Sequence, residues 1–195
     1  MARNLVALRG GSDADPRVAR SRLRVLRAAL EELASVGYGR FAIESVATRS
    51  GVAKSTIYRH WKGKLPLIAE AFETLNEQPA APSEGGTPRE RIQRLVQHVA
   101  EVMLDSPFSA CVPALVEASE RDPHVRAFHY GYNDGRRQRL IDAIAEGIAA
   151  GDFPPDLDPE TAALALVGPI FYRRLMTAER FDPADAAQLV GLVLG

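Results

Sequence analysis

Residues 42–61 read AIESVATRSGVAKSTIYRHW, and their pattern decides the fold class. Over Ala42–Ser50, the side chains of Ile43, Val46, Ala47 and Ser50 recur at steps of three and four, so they share one helical face. Gly51 ends that run. Over Ala53–Trp61, Ala53, Ile57 and Trp61 share an inward face. Two short helices joined by a tight glycine turn have the spacing and polarity of a helix-turn-helix. On the second helix the step of about 100° per residue points Ser55 and Arg59 most directly away from the anchors. Thr56 and Tyr58 flank them, and Lys54 sits in the first turn. These side chains suit a duplex: Arg and Lys bond guanine, Thr touches the thymine methyl, and Ser and Tyr hydroxyls reach phosphates. Lys62 and Lys64 follow the helix, level with a phosphate backbone, though Lys62 equally suits plain surface. His60 reads either as a phosphate donor or as a helix cap, and Tyr58 can pack half-buried with its hydroxyl free. Glu44 fits the first turn of its helix through the dipole, and could alternatively accept from a cytosine amino group.

The charge around this stretch is lopsided. Residues 17–64 hold eleven Lys and Arg against three Glu, a net +8, while the rest of the chain carries −9. That split points the basic part towards a polyanion. The segment Arg17 to Val36 carries Leu23, Leu26, Leu30 and Leu33 at helical steps, with Arg20, Arg22, Arg24 and Arg27 mostly off the stripe. Gly37 follows as a residue free to take positive φ at the helix end. Another helix starts near Lys64, with Leu67, Ile68, Ala71 and Phe72 as apolar anchors.

Further along, the pattern is helical throughout. Residues 78–87, QPAAPSEGGT, read as a linker. Thr87-Pro88-Arg89-Glu90 is a capping box with proline at the first helical position. A helix over about 109–121 follows, and Asp122-Pro123 opens a long one ending at Gly151, whose Gly131 and Gly135 suggest a bend or a close approach. Asp158-Pro159 and Asp182-Pro183 open the last two, over about 159–178 and 183–194. The chain reads as all-α, with about nine helices. The expected division is a leader over 1–16, a DNA-binding unit over 17–64, a connecting helix over 65–77, the linker, and a body over 88–195.

Composition narrows the class. With 195 residues, 46% apolar and 25% charged, this reads as a soluble globular protein. Cys111 is the single cysteine, so an internal disulfide is impossible and a reduced cytoplasmic setting fits. Cys111 itself reads as a small buried hydrophobe. No apolar run approaches a membrane span, and the first sixteen residues read as a disordered leader rather than a signal peptide. No phosphate-binding glycine loop, nucleophile elbow or metal-spaced cluster appears, and no cofactor or metal is expected.

The stretch GYGRFAIESVATRSGVAKSTIYRHWKGKLPLI, residues 37–68, resembles the DNA-binding region of the TetR family of bacterial transcriptional regulators. The likeness runs through Gly37-Tyr38, Val46-Ala47, Ser50-Gly51-Val52, Thr56-Ile57-Tyr58 and Trp61 to Lys64 and Leu67. It implies a three-helix DNA-binding head and a larger helical body for ligand binding and dimerisation. It also implies DNA contacts from Lys54, Ser55, Thr56, Tyr58, Arg59, His60 and Lys64, with Ala42 and Ile43 approaching the backbone. Members commonly place Thr or Ser at the positions of Phe41 and Ala42. Ala42 and Ala53 therefore lose hydroxyl caps, each worth about 1 kcal/mol.

By the same resemblance a small molecule enters the body among its middle helices. Candidates by residue type are His98, Met103, Phe108, Cys111, Phe128, His129, Tyr132, Phe171 and Tyr172. The effector would be largely apolar. The last two helices, over about 159–194, are poor in charge and need cover. The resemblance favours a two-fold homodimer there, and two heads on a palindromic double-stranded operator. The expected function is a ligand-responsive DNA-binding regulator, a repressor released by a small molecule. The rival readings are an architectural DNA binder without effector and, more remotely, an enzyme on a helical body.

Overall fold

The computed structural model describes residues 16–75 and 86–195. Among the described residues nine α-helices run in the order α1 (Pro16–Arg40), α2 (Ile43–Ser50), α3 (Lys54–His60), α4 (Lys64–Leu75), α5 (Pro88–Leu104), α6 (Pro107–Arg121), α7 (Pro123–Ala150), α8 (Pro159–Met176) and α9 (Ala186–Leu194). A single 3-10 turn, Pro183–Asp185, precedes α9, and no strand occurs among the described residues. The linker falls almost wholly, and the leader up to residue 15, outside the described residues.

Helix starts divide into two kinds. Thr87, Ser106, Asp122, Asp158 and Asp182 each accept a hydrogen bond from a backbone N–H of the following turn, and each is followed by proline. Thr87 and Glu90 complete the reciprocal capping box. Proline at the first helical position gives up an N–H that would have no partner there. By contrast α2 and α3 begin at Ala42 and Ala53 with no side-chain cap.

One continuous core joins the N-terminal and C-terminal helices. α1 packs on α2, α4 and α6, α6 packs on α7, and α5, α7, α8 and α9 pack among themselves. Leu26, Leu33, Ile57, Leu67, Ile68 and Phe72 are fully buried in the half nearer the N-terminus, and Ile92, Ile144, Leu166, Ile170 and Leu194 in the other. The ring of Phe72 meets Phe108 edge-on at 4.8 Å and Tyr132 at 5.5 Å, between centroids. Aromatic edge-to-face pairs add to the burial term, so α4 is stitched to α6 and α7.

Several expectations shift. Leu23 is 36% exposed, because the buried stripe of α1 runs through Val25, Leu26, Ala29, Leu30 and Leu33. The break in α1 at Gly37, where φ is 73°, is by contrast the positive-φ helix end expected there. Ala53 is exposed at the start of α3, and half-buried Val52 packs on the core instead. α6 begins at Pro107, because Ser106 caps it. No neighbouring helix among the described residues comes within 4 Å of where a Cβ on Gly131 or Gly135 would stand.

Candidate nucleic-acid interface and body cavity

Anchors on three helices hold α3. Ile57 is 0% and Trp61 3% exposed. The indole Nε1 of Trp61 donates to Glu70 Oε2 on α4 at 2.9 Å. Arg22 on α1 donates to both carboxylate oxygens of the same Glu70 at 2.6 Å and stacks over the Trp61 ring at 5.0 Å. The bidentate fork fixes geometry as well as charge. Gly51 takes φ 66° and ψ 23°, a left-handed turn that a side chain would strain, and its N–H closes on the Ala47 carbonyl at 3.0 Å.

The opposite face of α3 is open. Lys54, Ser55, Tyr58, Arg59 and His60 are exposed, and Thr56 is half-buried. Lys54 pairs with Glu44 on α2 and lies 5.6 Å from the Tyr58 ring centroid. The hydrogen bond with Lys54 is the main cause of a lowered Glu44 pKa, and the same contact raises that of Lys54. A shallow groove beside this face is lined by Arg17, Arg22, Arg24, Thr56, Arg59, His60 and Trp61, among others. The arginines of α1 thus extend the basic surface of α3. Their position off the apolar stripe was the signal available in the sequence.

A cavity of about 330 Å³ lies among α5, α6, α7 and α8. Its walls are mostly apolar, including Val99, Met103, Phe108, Val112, Leu140, Val167 and Phe171. Polar groups enter from His98, His129, Tyr132, Asn133, Arg136 and Arg137. Arg136 stacks over the Tyr132 ring at 3.7 Å. Burial is the main cause of lowered pKa values at His98 and His129, and of a lowered Arg136. Phe108 and Tyr132, in this wall, are the rings that touch Phe72 of α4.

Comparison with known proteins matches the chain in two parts. Residues 25–71 match the family model described as bacterial regulatory proteins of the tetR family, and residues 82–193 match the tetracyclin repressor-like C-terminal domain. This chain belongs to the TetR family, and it is a DNA-binding transcriptional regulator. An uncharacterized HTH-type regulator of Bacillus subtilis, YdeS, is 26% identical over 85% of this chain and 84% of its own length. CymR of Pseudomonas putida is 32% identical over 53% of each chain. Among solved structures, Salmonella enterica GusR superposes with a TM-score of 0.74 at 20% identity, over 93% of this chain and 97% of its own. FadR of Bacillus subtilis, in complex with stearoyl-CoA, gives 0.70 at 21% identity, over 89% and 97%. A putative regulator from Saccharomonospora viridis, in complex with choline, gives 0.68 at 22%, over 89% and 94%.

Within this TetR-family fold the head residues named from sequence fall into two groups. Lys54, Ser55, Tyr58, Arg59 and His60 share the open face, with Thr56 at its edge. Lys64 turns inward: its ammonium donates to the Tyr38 carbonyl at 2.8 Å and sits 4.1 Å from the Tyr38 ring centroid. Lys64 is half-buried, so this contact sits beside the expected phosphate contact without deciding it. Ala42 is half-buried and Ile43 buried, at the start of α2.

In the body, His98, Met103, Phe108, His129, Tyr132 and Phe171 line the cavity, and three other candidates do not. Cys111 is fully buried against α1, donates its S–H to the Leu30 carbonyl at 3.2 Å, and has its pKa pushed up to about 12 by burial. Phe128 packs behind the wall on Phe72 and Tyr132. Tyr172 is 62% exposed on the outer side of α8. Residue type cannot tell Phe171 from Tyr172, because neighbours on a helix point about 100° apart. Sequence reading missed Asn133, Arg136 and Arg137. Their place after Tyr132 on α7, three and four residues from cavity-lining positions, was the signal available.

Proposed function

We propose that this protein is a ligand-responsive cytoplasmic repressor, released from a palindromic operator when a small molecule fills the body cavity. The observation that carries the reading is the sharing of α4. Phe72 packs against two rings of the cavity wall, and Glu70, two residues earlier, holds Trp61 at the end of α3. A ligand that moves the wall therefore acts on the element that orients the recognition helix, and its differential affinity for the two arrangements sets the release. Arg59 and Lys54 would read base edges, with Ser55, Thr56, Tyr58 and His60 on base edges or phosphate.

The operator-bound form would be a homodimer through α8 and α9. Ala186, Val190 and Leu194 of α9 are covered by the chain's own helices, but Leu192 is 83% exposed, as are Tyr172 at 62% and Met176 at 70% on α8. Exposed apolar area of this kind favours a partner. Selection from random duplexes by the full chain should enrich an inverted repeat whose half-sites are spaced by helical turns. Leu192→Lys should give a monomer in light scattering, with binding reduced to single half-sites. Enrichment of no sequence, or a dimer unchanged by Leu192→Lys, contradicts the corresponding part of the proposal.

A further inference from the structure

We propose that Glu44 sets the sequence preference of the recognition face by holding Lys54 towards base edges and away from phosphate. The proposal rests on the reading of α3 as the base-contacting helix. Glu44 is the single acid between residues 37 and 64, a stretch that carries Arg40, Arg49, Lys54, Arg59, Lys62 and Lys64. A carboxylate on a face that meets phosphates repels them, so by itself it weakens binding to any duplex.

Two other acids near the head serve packing. Glu32 is 3% exposed and accepts from Arg49 at 3.1 Å, and Glu70 accepts from Arg22 and Trp61. Glu44 instead stands open to solvent in the first turn of α2 and pairs with Lys54, the first residue of α3. The pair thus bridges the two helices of the helix-turn-helix at the surface, with side chains 56% and 53% exposed. One turn along α3, the Tyr58 ring centroid lies 5.6 Å from the same ammonium. A surface ion pair adds little to stability, so this contact matters for where it puts the charge.

An unheld lysine is a mobile point charge on a flexible stem, ready to follow the nearest phosphate. An ammonium has three N–H donors, so one directed at Glu44 leaves others for guanine O6 or N7. A base edge can therefore be contacted with the pair intact. A phosphate contact made at the expense of the pair leaves the Glu44 carboxylate beside a second anion. Random duplex then gains less from Lys54 than the operator does, and that difference is preference. The contact also lowers the Glu44 pKa and raises that of Lys54, which keeps both groups charged at neutral pH.

The test titrates the full-length parent, Glu44→Gln, Lys54→Ala and the double variant. Each meets an operator selected by the parent and a random duplex, across about 50–200 mM salt. Glu44→Gln should bind random duplex about threefold or more tightly and steepen the dependence of log affinity on log salt by about 1. Its preference for the operator should fall about fivefold or more. In the Lys54→Ala background the same substitution should leave the preference unchanged. Thermal unfolding of Glu44→Gln should match the parent.

A parent without preference overturns the base-reading face itself. A preference that Glu44→Gln leaves intact, or lowers equally without Lys54, overturns the role of Glu44 alone. So does a loss of operator affinity with random binding and salt dependence unmoved, which would place the Glu44 carboxylate on a cytosine amino group. A clearly lowered thermal midpoint would assign Glu44 to the fold and overturn its role as well.

Discussion

Trp61 closes the helix-turn-helix from behind, and its neighbours decide how firmly. Its indole N–H and the Arg22 fork converge on the one carboxylate of Glu70, so helices α1, α3 and α4 meet at a single residue. Trp61→Phe keeps an apolar ring but removes the donor and part of the stacking surface for Arg22. It should cost about 1–3 kcal/mol of stability, read as a lowered midpoint in urea. An unchanged midpoint would show that the indole N–H contributes nothing. The anchors Ile57 and Trp61 were legible in the sequence because spacing alone places them on one face. The contact of Lys64 with Tyr38 was not, because only the folded chain brings that carbonyl and ring to its ammonium. The Glu44–Lys54 pair was equally hidden, since it spans the turn between two helices.

At the scale of elements, helix starts were the most legible feature. A capping residue followed by proline announces itself locally, and the starts at Pro88, Pro123 and Pro159 fall where the sequence places them. Packing between helices was less legible. Gly147 is buried in the last turns of α7, and a Cβ there would overlap the ring of Phe153, which is 4% exposed and covered by Arg89. Nothing in the run of residues around Gly147 reveals that contact, because Phe153 reaches it only after the chain reverses at Gly151. Gly147→Ala should therefore destabilise the fold by about 1–3 kcal/mol, although alanine is the better helix former. A thermal midpoint equal to or above that of the parent would refute the contact. Gly131→Ala, on an open surface, is the control and should be neutral or slightly stabilising.

Considered as a whole, the molecule is one core that carries an open basic face and a body cavity. α1 and α4 belong to both halves, through Cys111 against Leu30 and through the Phe72 cluster. The family, the helical class and the open basic face were all readable from residues 37–68. The inner lining of the cavity was readable only in part, since it depends on which side of each helix faces inward. Protonation gives a test at this scale. Burial lowers the folded-state pKa of His98 and His129 below the ordinary value near 6.5, so the unfolded chain binds protons first as the pH falls. Stability should therefore be fully present above about pH 7 and decline as the pH drops through about 6.5 towards 5. The double variant His98→Gln, His129→Gln should flatten that decline in a thermal-unfolding series, and an equally steep decline in the variant would remove these histidines as its cause.

The central claim is that the exposed face of α3 reads sequence, and one titration examines it most directly. Full-length protein and Arg59→Ala are each titrated with a selected operator and with random duplex of equal length, at about 50 mM and about 200 mM salt. The account predicts that the parent loses affinity for both duplexes as salt rises yet keeps a preference of about a thousandfold or more for the operator. Arg59→Ala should lose about 1–3 kcal/mol of that preference while retaining most of its affinity for random DNA. Equal affinity of the parent for the two duplexes, or a preference untouched by Arg59→Ala, would contradict it.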